Sequence, residues 1–178
     1  MTIPDLRTDC SKCEALCCVA LSFEAGTSFA FDKPAGVPCP LLTVTNLCRV
    51  HDDLAERGMT GCARYDCLGA GPYVVQHLFA GRSWRRDPGI ASEVMAAFSR
   101  MKQIHELIAL LMTAAERLPL TPADESERGA LLARLAPWDD WTPETLARFA
   151  LDEVQRDVRV FLRRLGPMAR ASGLAPPA

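Results

Sequence analysis

Cysteines are the residues of this sequence whose type and spacing could do chemistry. The chain of 178 residues holds eight, in order Cys10, Cys13, Cys17, Cys18, Cys39, Cys48, Cys62 and Cys67. Two thiolates separated by two or three residues on one turn can converge on one metal ion or cluster, because the local backbone sets their sulfurs a few ångströms apart. The spacing therefore predicts eight metal ligands, in one cluster with spare thiols or in two four-ligand sites.

Three other uses of cysteine compete with metal binding. Disulfides suit an even count, but the segment up to Cys10 is polar and acidic, unlike a secretion signal, and thiols stay reduced in the cytoplasm. Burial as a small hydrophobic side chain explains one or two cysteines and not eight. A redox dithiol at Cys10-x-x-Cys13 lacks the strand–helix setting of thioredoxin-like motifs. We therefore expect a metal.

The flanking residues favour an iron–sulfur cluster over zinc, which stays the alternative. Proline often follows a cluster ligand, as in Cys39-Pro40. The pair Cys10-x-x-Cys13 lacks the neighbouring glycine that is usual in zinc knuckles. The C-x3-C-x2-C spacing of radical-SAM enzymes is absent, because Cys18 directly follows Cys17.

Three residues near the cysteines are candidate cofactor-binding residues. His51 lies three residues after Cys48 and could supply a nitrogen ligand or hydrogen-bond a thiolate, although a histidine on a solvent-facing loop would do neither. Gly69 and Gly71 follow Cys67, and they could let the backbone approach a metal site or a phosphate, with a plain turn as the alternative.

Two further features could carry a function. His105 shares the apolar face of a predicted helix, where a core histidine is expected. The segment Arg82–Arg86 surrounds Trp84 with arginines and could bind a protein partner or a small-molecule substrate, as could the helical face. Contact with the acidic cysteine-rich lobe of the same chain is the simpler interpretation of this segment.

The elements that must position these residues divide into two lobes. Residues 1–72 hold the cysteines and are interrupted by prolines and glycines, which predicts an irregular metal-binding lobe. Residues 73–170 show helical periodicity, and residues 171–178 are predicted to be a flexible tail. The predicted fold is mainly α, with the cysteine-rich lobe packed on an antiparallel group of about three helices.

Three predicted helices make up the second lobe. The first begins near Ile90 and stops before Pro119. The second has an N-cap at Thr121 followed by Pro122 and runs to about Leu135. The third starts at Thr142-Pro143-Glu144 and is predicted to end at Gly166-Pro167.

Composition excludes several function classes. The chain is 49% hydrophobic and 24% charged, as expected of a globular protein. A net charge of −2 gives no overall positive field for a nucleic-acid partner. No apolar run approaches the roughly 18 residues that cross a bilayer, so we expect no membrane partner and a cytoplasmic location. No Ser-His-Asp set or phosphate-loop lysine appears, so any catalysis would belong to the metal.

The order of the cysteines resembles a known family. The pattern C-x2-C-x3-C-C, then C-P-L, C-x2-H and G-C-x4-C is similar to the eight-cysteine pattern of the zinc- or iron-chelating cysteine-cluster family. More closely, Phe31–Gly36, Tyr65–Cys67, Gly69–Gly71 and Gly81–Arg85 resemble the N-terminal region of actinobacterial pentapeptide-repeat-containing proteins. This chain lacks their repeats, so a repeat-based role such as DNA mimicry is not expected.

The resemblance implies metal binding and leaves three functions open. The first is a metal-binding protein whose cluster serves structure, sensing or electron transfer. The second is a metal-dependent enzyme acting on a small molecule or peptide, since a more distant similarity to flagellin lysine methylases implies that some relatives are enzymes. The third is a zinc-stabilised adaptor for protein interactions.

Overall fold

The computed structural model describes residues 2–173, and these are mainly helical, which confirms the predicted fold class. Extended structure in this part of the chain is confined to two isolated bridges, Phe23 with Lys33 and Leu42 with Cys48. Within it, no helix is both long and apolar enough to span a bilayer. The α-helices are α1 Leu16–Ala20, α2 Thr60–Arg64, α3 Ala70–Tyr73, α4 Ala91–Arg117, α5 Pro122–Leu135, α6 Pro143–Arg148 and α7 Leu151–Ala171.

The chain divides into two compact units. One, Asp5–Lys102, holds all eight cysteines, and the other holds residues 2–4 and the described residues from Gln103 onward. The prediction of separate lobes at 1–72 and 73–170 stays a prediction. Of the predicted tail, Ala171 ends α7 and residues 174–178 lie outside the described residues.

Helix α4 has the length that its sequence predicts. It begins after a 3₁₀ turn at Pro88–Ile90 and ends at Arg117, just before Pro119. Its apolar side chains are buried at spacings of three and four, which is the period that drives an amphipathic segment to form a helix. Those in the cysteine-containing unit are Val94, Ala97, Phe98 and Met101. His105, on the later part of the helix, is fully buried.

Helices α5 and α7 pack against each other in antiparallel directions. Near the C-terminus of α5, Arg134 Nη1 lies 2.7 Å from a carboxylate oxygen of Asp157 in the first half of α7. Near its N-terminus, Asp124 lies 3.1 Å from Arg164 in the second half of α7. The N-terminus of α5 is fixed by a capping box, in which Thr121 accepts from the Asp124 N–H and the Asp124 carboxylate accepts from Thr121.

The predicted start at Pro143 is confirmed, but the prediction of one unbroken helix ending at Gly166 is wrong in two places. The helix breaks where Phe149 takes an extended conformation, and its ring packs 4.8 Å from that of Trp141. Helix α7 then continues through Pro167 to Ala171. A proline disrupts a helix through the hydrogen bond and the space it takes from the preceding turn, and here only the last turn follows it.

Candidate metal centre

Four of the cysteines lie on two adjoining turns near the N-terminus. Cys10 begins a 3₁₀ turn, Cys10–Lys12, which Asp9 caps by accepting from the Ser11 N–H, and Cys13 directly follows this turn. Cys17 and Cys18 are consecutive residues of α1. Between the two turns the backbone passes through a left-handed link at Glu14 and Ala15.

Two non-glycine residues, Glu14 and Ala15, hold the left-handed link at φ values of 49° and 58°. Such a conformation costs roughly 1–3 kcal/mol per residue and persists only where the surroundings fix it. The indole N–H of the buried Trp84 donates to the Glu14 carbonyl at 3.0 Å and so holds the link. This strained link sets the position of the second cysteine pair relative to the first.

Backbone hydrogen bonds bring Cys39 and Cys48 to the same region. The Cys39 N–H donates to the carbonyl of Cys18 at 2.9 Å. The Leu42 N–H donates to the carbonyl of Cys39 at 3.0 Å, and Leu42 forms the isolated bridge with Cys48. Cys62 lies on α2, and Cys67 lies two residues before Gly69, the N-cap of α3.

All eight cysteines line one cavity of about 430 Å³ in the unit Asp5–Lys102. The rest of its lining is mostly apolar and aromatic, including Phe29, Met59 and Phe98, with His51 and Tyr65 among the polar residues. All eight are free thiols. The structure therefore brings the predicted ligands together around one space.

The thiols surround this space rather than meet at one point. No group of three or more Cys, His, Asp or Glu side chains within residues 2–173 is arranged to hold a metal ion. A tetrahedral zinc site with zinc–sulfur bonds of about 2.3 Å needs sulfurs about 3.8 Å apart. The Sγ atoms of Cys17 and Cys18 lie 4.0 Å apart. Thiolates are the usual protein ligands of iron–sulfur clusters, which are larger than one ion and take four cysteines.

Burial favours the neutral form of four of these thiols. It raises the pKa of Cys13 to about 12 and that of Cys62 to about 11, and it also raises the pKa values of Cys10 and Cys39. Cys18 differs, because its hydrogen bond with Cys17 lowers its pKa to about 7. Any metal bound here would therefore displace several protons.

A buried lysine supplies positive charge beside the thiols. Lys33 is 3% exposed, and its ammonium donates to the carbonyls of Val19 at 3.1 Å, Pro34 at 2.9 Å and Leu21. Burial lowers the pKa of Lys33, while the charges of nearby cysteines, Cys39 first, oppose that shift. Because a lysine ammonium has three donors, these carbonyls use all of them and fix the charge in place.

The two candidate glycines have different surroundings. A Cβ added at Gly71 would lie 2.9 Å from Cys13 Sγ and 3.8 Å from Cys67 Sγ, so the backbone of α3 approaches these two thiols. Gly69 has a φ of +74°, and a Cβ there would meet the Asp5 carbonyl oxygen at 2.2 Å. Gly69 therefore allows the chain to turn into α3, and a direct cofactor role for either glycine stays a prediction.

His51 lies at the edge of the candidate site. It begins the 3₁₀ turn His51–Asp53 and contributes to the cavity lining, but its side chain is 64% exposed. Its Nδ1 lies 3.5 Å from the carboxylate of Asp52. The predicted ligand or hydrogen-bonding role of His51 stays a prediction.

Several side chains of the Arg82–Arg86 segment contact residues of their own unit. Trp84 is buried, and Arg85 stacks over its ring at 4.8 Å from the centroid while donating to the Asn46 side chain at 2.9 Å. Arg82 pairs with Asp87 at 2.7 Å. Binding of a partner through this segment or the helical face stays a prediction.

Sequence reasoning missed two residues that shape the site. Lys33 stands between Asp32 and Pro34, where a solvated side chain is the usual expectation, and its burial has no local sequence signal. The sequence groups Trp84 with its cationic neighbours, although an aromatic residue whose indole needs a buried acceptor also suggests a structural anchor.

The fold and the cavity define a mainly helical protein with a thiol-lined site. The chain is 34% identical over 172 residues to the uncharacterized protein YybG of Bacillus subtilis (strain 168). The matched region is 97% of this chain and 61% of YybG, so the chain spans less than two thirds of that relative. No family model and no solved structure matches the chain. The resemblance to the cysteine-cluster family stays a prediction.

Proposed function

We propose that this protein binds an iron–sulfur group through its eight cysteines and uses it in a structural, sensing or electron-transfer role. The observation that carries the proposal is the single cavity lined by all eight thiols. Cysteines kept only for packing would be expected through both units, yet the chain has none after Cys67. Local turns and backbone bonds instead bring cysteines from distant segments to one place.

The size of the cavity favours iron–sulfur over zinc. A zinc ion needs four sulfurs within about 4 Å of each other, whereas these thiols border a volume of about 430 Å³. When bound, an iron–sulfur cluster supplies one-electron redox chemistry whose potential depends on hydrogen bonds, charge and solvent exposure. The chain would provide the thiolates, the apolar walls that exclude water and the Lys33 ammonium that offsets negative charge.

Free thiols agree with a cytoplasmic location, which is part of the proposal. Disulfides form and persist in oxidising compartments, and thiols stay reduced in the cytosol. All eight cysteines are free in the structure. We include neither a membrane nor a nucleic-acid partner in the proposal, since a net charge of −2 gives no general attraction to phosphates.

Anaerobic purification followed by an absorption spectrum and analysis of iron, acid-labile sulfide and zinc tests the proposal. We expect iron and sulfide together, with a broad absorption band near roughly 400 nm that disappears on thiol modification. The matched control is the same chain with Cys10, Cys13, Cys62 and Cys67 replaced by alanine. A metal-free protein with ordinary folding stability contradicts the proposal, and a colourless zinc protein supports the adaptor function instead.

The cavity also favours a second candidate, an iron–sulfur enzyme acting on a small molecule or peptide. Tyr65, His51 and several aromatic rings share the lining with the thiols, and sites for small molecules are typically apolar cavities with a few polar groups. Added cyanide would shift the absorption spectrum if the metal had an open coordination position. An unchanged spectrum would favour full thiolate ligation and the electron-transfer or structural role.

A further inference from the structure

We propose that the outer face of α7 is a docking surface for an acidic helix of a partner protein. Its contacts are the arginine row, which consists of Arg156, Arg159, Arg163 and Arg170. Helix α7 belongs to the unit that holds the described residues from Gln103 onward, whereas the cysteines belong to the other unit. The inference therefore does not depend on the proposed iron–sulfur group.

The position of the arginine row follows from the buried side of α7. The side chains of α7 that are buried are Leu151, Val154, Val158, Phe161 and Leu165. Successive helical residues point about 100° apart, so Arg156, Arg163 and Arg170 lie on the opposite side, with Arg159 beside them. At 1.5 Å per residue, the row is about 21 Å long and covers about four turns.

The charges of the arginine row are exposed and unpaired. All four of its side chains are exposed. Within residues 2–173, none of them forms an ion pair. The nearby carboxylate of Asp157 pairs instead with Arg134 of α5, at 2.7 Å. The outer face of α7 thus presents a line of positive charge that no described carboxylate neutralises by contact.

Another arginine of α7 already pairs with an acidic helix, which shows the chemistry that suits the row. Arg164 Nη2 lies 2.6 Å from a carboxylate oxygen of Glu127 and 3.1 Å from one of Asp124. These two acids are three residues apart on α5 and so share one face of that helix. A guanidinium presents five donors in a fixed fork that matches carboxylates. The arginine row offers the same contacts to a second helix with carboxylates three or four residues apart.

A second copy of α7 does not complement the row. Asp152 and Glu153 lie in the first turn of α7, before the row begins. Antiparallel pairing that matches Glu153 of one copy with Arg170 of the other sets the remaining arginines of the two copies against each other. Like charges at short range repel, so the charge pattern favours a different, acidic partner.

The apolar residue within the row favours a protein over phosphates. Val160 is 59% exposed and lies between Arg156 and Arg163 along the helix. An apolar contact within a polar rim is typical of protein interfaces. Residues 103–173 carry nine Lys+Arg against eleven Asp+Glu, without the basic excess of a nucleic-acid-binding domain. The apolar face of α7 is buried within its unit, so it is not available for insertion into a membrane surface.

Fluorescence anisotropy of a labelled synthetic peptide, titrated with the full chain, tests the proposal. The peptide is a helix of about 14 residues, which matches the length of the row. It carries glutamates three and four residues apart and a leucine among them, and a peptide of the same composition in scrambled order is the control. We expect the ordered peptide to bind about tenfold more tightly, as two or three exposed ion pairs would give. Added salt should reduce this preference.

The triple variant Arg156→Gln/Arg163→Gln/Arg170→Gln tests whether the row makes the contact. We expect it to lose the preference for the ordered peptide, because three of the four charges are gone. The matched control is Arg117→Gln/Arg148→Gln, which removes exposed arginines of α4 and α6 and should leave binding unchanged. All of these side chains are exposed, so circular dichroism should show the same helix content in every variant.

Several results would overturn the proposal. Equal binding of the ordered and scrambled peptides, no binding of either, or unchanged binding by the triple variant shows that the row does not recognise an acidic helix. Tighter binding of a short DNA duplex or of phosphatidylserine vesicles, lost in the triple variant, assigns the row to phosphates instead. Dimerisation of the chain in analytical ultracentrifugation, lost in the same variant, assigns it to a second copy.

Discussion

Gly71→Ala probes the thiol cavity with a single added methyl group. Gly71 lies in α3, and its new Cβ would sit 2.9 Å from Cys13 Sγ and 3.0 Å from Cys13 Cβ. Non-bonded carbon atoms have their best separation at about 3.5–4.0 Å, so the Cys13 side chain must move by roughly 0.6–1 Å. That movement exceeds the about 0.5 Å within which a designed site must hold its ligands. We expect iron content to fall.

Two opposing terms set the effect of this substitution on folding stability. Replacing a helical glycine by alanine stabilises a helix by about 1 kcal/mol. Overpacking a close-packed site costs roughly 1–3 kcal/mol. The metal-free protein should therefore lose at most about 2 kcal/mol of unfolding free energy, so the loss of metal would not come from global unfolding.

Gly129→Ala is the matched control for Gly71→Ala. Gly129 lies within α5, and a Cβ added there meets no heavy atom within 4 Å. This variant should keep all of its iron and gain up to about 1 kcal/mol in urea denaturation, because it has the helix benefit without the clash. Full iron content and an unchanged spectrum in Gly71→Ala would refute the claim that α3 positions Cys13 as a ligand.

Trp84→Phe should cost about 1–3 kcal/mol in urea denaturation, because the Glu14 carbonyl loses its indole donor, and it should speed metal loss to a chelator. Thr121→Ala should cost about 1 kcal/mol in the same assay by removing the cap of α5, while iron content stays unchanged. The metal-free protein should lose stability as pH rises from the ordinary thiol pKa of 9.0 toward the raised values of Cys13, about 12, and Cys62, about 11. The metal-bound protein should instead lose stability as pH falls below the ordinary thiol pKa of 9.0, because its thiolates must bind protons on unfolding. Thermal unfolding across pH measures both slopes.

The helices of this protein could be predicted in detail because their signals are local. Helix α4 and helix α5 follow from apolar periodicity, proline positions and the Thr121 cap, all of which act within a few residues. The break at Phe149 could not be predicted, because the aromatic contact with Trp141 competes there with a periodic pattern that continues on both sides. At that position tertiary packing overrides the helical preference of the local sequence.

The sequence identifies the cysteines of the candidate site. It does not identify which cysteines lie together or that a buried lysine lies beside them. Spacing along the chain identifies thiols, but the grouping of Cys18 with Cys39 depends on a backbone hydrogen bond between distant segments. The burial of Lys33 depends on three carbonyls that become available only when the chain folds around it. A buried cation is costly unless it is fully hydrogen-bonded and near opposite charge. Lys33 has the hydrogen bonds in the structure, and under the proposed function metal-bound thiolates would supply the opposite charge.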